Sequence, residues 1–256
     1  MDAKCIFRGI IRLLHLLAHL LKGIILCYTV LRGIQNHAMT EKQRKVIQSW
    51  MYQVTKIVGV DLKVHGTPHP PPVFVVANHI SWLDVVIIAS VLPVSFLSKA
   101  EIRRWFVIGT LASRAGTLFI RRGSKFGVID AVNLMRERLK SGHSVASFPE
   151  GTTTDGTSVQ AFHPRLFAAA IDTDSMIQPV ALLYPQTHGS NSIVPYVRNS
   201  NLVKHAFRIM SAERTEVVIT LCDPICIDGR LRKQLAQIAR NAIVNALEDS
   251  HLKQSA

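Results

Sequence analysis

Acidic residues are scarce in this 256-residue chain, with 17 Asp and Glu against 30 Lys and Arg. The resulting net charge of +13 favours anionic partners: nucleic acid, an anionic membrane or phosphorylated ligands. Cysteine is scarce too, and Cys5, Cys27, Cys222 and Cys226 lack the paired spacing of a zinc site. They imply no disulfide framework and read as reduced thiols of a cytosol-facing protein. Aromatic residues are only 7% of the chain and do not interleave with cations, which argues against a stacking platform for single-stranded nucleic acid. There is no Gly-x-Ser-x-Gly elbow, since Gly142-His143-Ser144-Val145-Ala146 lacks the final glycine. That absence weighs against a serine hydrolase, a reading that inhibition by a fluorophosphonate would revive. No internal repeat or low-complexity tract is present. At 18% charged and 48% hydrophobic the chain is neither disordered nor polytopic, and it is long enough for one α/β domain plus an appendage.

The cationic excess is concentrated. Residues 1–50 hold eight Lys/Arg against two Asp/Glu, residues 98–140 hold ten against three, and the remainder is balanced. A bilayer-spanning helix needs about 20 apolar residues with few charges. Residues 6–34 are interrupted by Arg8, Arg12, Lys22 and Arg32, and by His15 and His19. Arg8, Arg12, His15, His19 and Lys22 recur at spacings of four, three, four and three, so they share a helical face opposite Ile6, Ile10, Leu13, Leu14, Leu17, Ala18, Leu20 and Leu21. This reads as a basic amphipathic helix lying in a membrane interface rather than a cleaved signal peptide, with a core-packing helix as the plainer alternative. Residues 41–58 are also helical by periodicity, and the two form a hairpin. The expected division is membrane-associated helices at 1–58 and a second domain at 59–256.

The strongest local signal lies within that second domain. Val73-Phe74-Val75-Val76 reads as a buried strand, followed by Ala77-Asn78-His79-Ile80-Ser81-Trp82-Leu83-Asp84 and an apolar segment ended by Pro93. His79 therefore leaves a strand end, where α/β folds bind ligands, and a turn can return the Asp84 carboxylate to its ring. That is the wiring of a general base. The structural alternative is a capping box, in which Ser81 and Asp84 merely start a helix.

Further strands are expected at 62–66, 94–98, 117–120, 144–148, 178–184 and 216–222, with helices at 125–140, 164–171 and 231–247. Residues 185–201 read as loop. The strand–helix alternation predicts an α/β sandwich with a mostly parallel sheet. Lys99 ends one strand, and Arg121 and Arg122 end another as a candidate bidentate phosphate contact. Phe148-Pro149-Glu150-Gly151-Thr152-Thr153-Thr154 follows a third as a tight loop, whose Glu150 can reach a ligand hydroxyl or serve only as a solvated turn.

Asn78-His79-x-x-x-x-Asp84, Phe119-Ile120-Arg121, Phe148-Pro149-Glu150-Gly151-Thr152 and Gln178-Pro179-Val180-Ala181 occur in the order of four motifs of one family. Over about residues 60–185 the chain resembles the glycerolipid acyltransferases, specifically the bacterial 1-acyl-glycerol-3-phosphate acyltransferases. The resemblance implies transfer of a fatty acyl group from acyl-CoA or acyl carrier protein to a lysophospholipid hydroxyl, with no cofactor, no metal and no nucleic-acid partner. By the same resemblance His79 is the base and Asp84 its orienting carboxylate. Asn78, Lys99, Arg121, Arg122, Glu150, Gly151 and Thr152 then fall to substrate binding. An anionic membrane surface becomes the expected partner, and the cytoplasmic face of a bacterial inner membrane the expected location, in peripheral or monotopic form. One departure concerns the acceptor: Thr153 stands where the family loop commonly carries arginine. Relatives acting on lyso-ornithine lipid, which has no phosphate, resemble this threonine loop, but Arg121 and Arg122 remain, so lysophosphatidate ranks first and lyso-ornithine lipid a near second. A non-catalytic membrane-binding protein is the rival of a different class.

Overall fold

The computed structural model describes residues 2–31, 40–120, 127–185, 193–197 and 201–255, the last five by their backbone alone. Seven strands form one sheet: β1 (Val60–His65), β2 (Phe74–Ala77), β3 (Val94–Lys99), β4 (Leu118–Ile120), β5 (Ser144–Ser147), β6 (Ile177–Leu183) and β7 (Thr215–Leu221). Their spatial order is β1-β7-β6-β2-β5-β3-β4. Every pairing is parallel except β6 with β7. The expected α/β sandwich with a mostly parallel sheet is therefore the observed architecture.

The central strands are apolar on both faces because helices cover both. Val75, Ala77, Val180 and Leu182 face one core shared with α2 (Glu41–Val58), α3 (Leu83–Val91) and α7 (Leu202–Ser211). Phe74, Val76, Ile177 and Ala181 face the other, shared with α5 (Gly127–Lys140), α6 (Ala168–Ile171) and α8 (Arg232–Ser255). Two helices lay outside the sequence reading, α4 (Phe106–Arg114) and α7. The short α4 carries a glycine that blurs its period, and α7 follows a loop rich in turn-forming residues.

The first helix, α1 (Ala3–Thr29), pairs with α2 as the anticipated hairpin. Part of its cationic face, however, turns inward: Arg8, Arg12 and His19 do, while His15 and Lys22 stay exposed. Arg12 donates to the carbonyls of Met210, Ala212 and Glu213, and Arg8 to that of Ser211. These are the orphan carbonyls at the C-terminus of α7, where a guanidinium also meets the negative end of the helix dipole. His19 is buried, stacks on Trp50 and bonds the Trp50 carbonyl at 3.0 Å. Room for Arg12 comes from Gly59, which ends α2 at φ +85°, because a Cβ there would stand 2.4 Å from the guanidinium carbon. The face left outside is Phe7, Ile10, Leu14, Leu17, Leu21, Ile25 and Tyr28.

Candidate active site

The parallel strands β2, β5, β3 and β4 all end at one edge of the sheet, and the loops leaving those ends carry the candidate residues. From β2 the chain makes the turn 78–82 and enters α3, placing Asp84 in the first helical turn, where a carboxylate is favoured by the dipole. Asp84 is fully buried. Its Oδ2 accepts from His79 Nδ1 at 2.8 Å, from Ile80 N at 2.7 Å and from Ser81 N at 2.8 Å. Oδ1 accepts from the Tyr184 hydroxyl at 2.5 Å. Half of the capping-box alternative is thus present, since the carboxylate does reach back to the Ser81 amide. The other half is missing, because the Ser81 hydroxyl has no hydrogen-bond partner among the described residues.

His79 is fixed on several sides. Its amide donates to Glu150 Oε1 at 2.7 Å, and its carbonyl accepts from Thr154 N at 2.8 Å. The imidazole stacks on Phe148 with centroids 3.9 Å apart and planes 11° from parallel. With Nδ1 committed to Asp84, the side chain remains 18% exposed, and Nε2 makes no hydrogen bond among the described residues. An imidazole held this way can take a proton at Nε2 from a hydroxyl brought to the sheet edge. A π face against the ring favours the imidazolium that results.

Several residues assigned to substrate binding are differently engaged. Asn78 is buried, donating to the Leu182 carbonyl at 2.9 Å and accepting from the Leu182 amide at 2.8 Å, so it ties β2 to β6. Glu150 is also buried, and its second oxygen accepts from Gln160 N at 2.8 Å. Both of its oxygens hold main chain. Burial raises its pKa above the ordinary carboxylate value, while the Gln160 and His79 amides oppose that shift. Gly151 sits at φ +76° in the exposed tip of this loop beside exposed Thr152. Lys99 is exposed at the end of β3, in register with Ile120, the last residue of β4. Arg121 and Arg122, which follow Ile120, lie outside the described residues.

Three contributions escaped the sequence reading. Phe148 belongs to a quoted motif but carried no role. Tyr184 ends a strand that was expected, yet only the sheet order brings it to Asp84. The third comes from α7: Trp82 Nε1 donates to His205 Nδ1 at 3.0 Å, while His205 Nε2 faces the Pro195 carbonyl at 3.3 Å. Segment 193–197 closes over the turn, with Tyr196 N donating to the Ile80 carbonyl at 2.9 Å and Thr153 Oγ1 donating to the Tyr196 carbonyl.

The His205 bridge has a pH consequence. A neutral ring protonated at Nε2 satisfies both partners, whereas a protonated ring opposes the Trp82 donor. Burial first, and Arg208 in smaller part, lower its pKa below the ordinary 6.5. The stability it contributes is therefore complete above the unfolded value near 6.5 and is lost as pH falls through the depressed folded value. His205→Gln should show a shallower fall in melting temperature between neutral and acid pH than the unsubstituted protein, as calorimetry at several pH values would read.

Comparison with known proteins identifies the family. A family model described as acyltransferase matches residues 61–183, a span that holds His79 and Asp84 and ends just before Tyr184. The chain is 37% identical to a lyso-ornithine lipid O-acyltransferase of Pseudomonas aeruginosa, covering 82% of this chain and 81% of that one. It is 32% identical to a 1-acyl-sn-glycerol-3-phosphate acyltransferase of Neisseria meningitidis, covering 86% and 84%. The crystal structure of the 1-acyl-sn-glycerophosphate acyltransferase PlsC from Thermotoga maritima superposes with a TM-score of 0.64 over 94% of this chain and 98% of that one. At 19% identity it speaks to the fold alone. With relatives this similar along four-fifths of their length, and a family model that spans the His79–Asp84 turn, this chain belongs to the acyltransferase family.

Proposed function

We propose that the protein transfers a fatty acyl group from a thioester, acyl-CoA or acyl carrier protein, to the hydroxyl of a membrane lysolipid. His79 is the general base and Asp84 its orienting carboxylate. The observation that carries the reading is the 2.8 Å bond from His79 Nδ1 to buried Asp84, which leaves Nε2 open at the strand ends. In this mechanism Nε2 takes the acceptor's hydroxyl proton as the oxygen attacks the thioester carbonyl. The C–S bond breaks as the tetrahedral intermediate collapses, and the imidazolium returns the proton to the departing sulfur. No covalent acyl-enzyme is required. Asn78 and Glu150 serve by holding the turn, and Lys99, Gly151 and Thr152 border the acceptor.

For the acceptor, two observations now favour lyso-ornithine lipid over lysophosphatidate. Thr153 carries no charge, and its hydroxyl already donates to the Tyr196 carbonyl, so that position offers a phosphate neither a cation nor that donor. The lyso-ornithine lipid enzyme of P. aeruginosa is also more similar than the Neisseria enzyme that acts on 1-acyl-glycerol-3-phosphate. Lysophosphatidate remains the second reading, motivated by the cationic excess of residues 98–140. Transfer from one labelled acyl-CoA to both acceptors side by side tests the choice, and exclusive use of lysophosphatidate would refute the first reading. Thr153→Arg should raise the lysophosphatidate-to-lyso-ornithine ratio of kcat/KM by roughly tenfold, the scale of one charge-assisted hydrogen bond. An unchanged ratio would remove Thr153 from the argument.

The membrane face of this proposal is the outer stripe of α1. Among the described residues α1 is the one helix long and apolar enough to cross a membrane. Its arginines are bonded to the carbonyls of residues 210–213, and its buried side is packed on α2 and α7. That attachment supports a helix lying in one leaflet on the cytoplasmic side, with its apolar stripe in lipid.

A further inference from the structure

Asp84 is surrounded by more donors than a histidine partner needs. Oδ2 alone receives three, and with them the carboxylate could still pivot about its side-chain axis. Oδ1 has a single donor among the described residues, the Tyr184 hydroxyl at 2.5 Å. This length belongs to charge-assisted O–H···O⁻ bonds. Tyr184 is itself buried, just past the end of β6. The register of β6 beside β2 is set by pairing from Phe74↔Ile177 to Ala77↔Val180 and extended by the double bond between Asn78 and Leu182. Alternation along the strand then puts Val180, Leu182 and Tyr184 on the face that α3 covers. The phenol is therefore delivered to Asp84 by the most constrained part of the sheet.

We propose that Tyr184 is a positioning residue of the catalytic pair: its hydroxyl fixes the Asp84 carboxylate and limits the basicity that Asp84 confers on His79. A carboxylate that shares its charge with a phenol attracts a proton on the neighbouring imidazole less strongly. Proton abstraction from a hydroxyl requires the neutral imidazole, the form that a weaker pull from Asp84 favours. Burial and the Asp84 charge both raise the phenol's pKa well above 10.0, so Tyr184 stays a donor throughout. Among the described residues the other titratable group facing the pair is Glu150, whose oxygens are occupied by the amides of His79 and Gln160.

The inference rests on the reading of His79 as the base, and its test separates the two. In full-length protein, Tyr184→Phe is expected to move the acid limb of the kcat/KM–pH profile upward by roughly one pH unit, while lowering kcat more than it changes acceptor KM. Incorporating 3-fluorotyrosine at position 184, a better donor of nearly the same size, should move the limb the opposite way. The His79 imidazole titration by NMR without substrate, assigned by its loss in His79→Ala, should shift in the same two directions. If neither replacement moves the NMR midpoint, the proposal is overturned, even where kcat falls with the melting temperature. Shifted midpoints in a protein that acylates neither lysolipid would uphold the role of Tyr184 and count against the proposed function.

Discussion

Replacing His79 with alanine is expected to lower kcat by about 10²- to 10⁴-fold, the usual range for removal of a positioned general base. The fold should survive this change. The His79 amide and carbonyl, which bond Glu150 and Thr154, are retained in alanine. Asp84 keeps its bonds to Ile80, Ser81 and Tyr184. What disappears is the ring between Asp84 and Phe148, and with it the proton acceptor. Asp84→Asn is expected to be as inactive but less innocent structurally. Its amide must present a donor to a site already filled by donors, leaving buried groups unsatisfied at a cost of about 1–3 kcal/mol each. Circular dichroism and a melting curve beside the acyl-transfer assay distinguish the outcomes. Unfolding in both variants would favour the view that 78–84 only starts a helix, whereas an inactive, folded His79→Ala protein would refute it.

Why this pair could be found in the sequence while Tyr184 could not is a matter of range. His79 and Asp84 are five residues apart, and one strand-to-helix turn brings them together. Tyr184 lies 100 residues from Asp84, and its arrival depends on β6 pairing with β2 rather than with another strand. Nothing in the period-2 pattern of either strand specifies its neighbour. The same limit explains Asn78 and Glu150. Both sit in motifs that mark the site, but whether a side chain turns to a ligand or back to main chain is decided by partners such as Leu182 and Gln160. The inward turn of the α1 arginines was hidden for a related reason. Periodicity shows that a helix has two faces, and only the open carbonyls at the end of α7 decide which face is buried.

That orientation of α1 makes membrane binding separable from stability. Phe7, Leu14 and Leu21 recur every seven residues on the outer face and are 59–65% exposed. Changing all three to aspartate should release the protein from vesicles containing anionic lipid. Each apolar side chain withdrawn from lipid forfeits about 1.5–3 kcal/mol, so partitioning should fall on the order of a thousandfold or more. The melting temperature should hardly move, because exposed substitutions usually stay within about 0.5 kcal/mol. Deleting residues 1–34 should also release the protein, at a structural cost. It would uncap α7 by removing Arg8 and Arg12 and expose the core patch that Cys27 and Leu31 share with Ile47. Since α7 also carries His205, the partner of Trp82 in the catalytic turn, the deletion is expected to reduce activity on soluble acceptor analogues. The triple aspartate variant should retain it. Vesicle sedimentation, calorimetry and a soluble-acceptor assay on the two proteins read these effects separately. Continued sedimentation of the triple variant would show that some surface other than the α1 stripe holds the membrane, and equal loss of soluble activity in both would tie that stripe to catalysis itself.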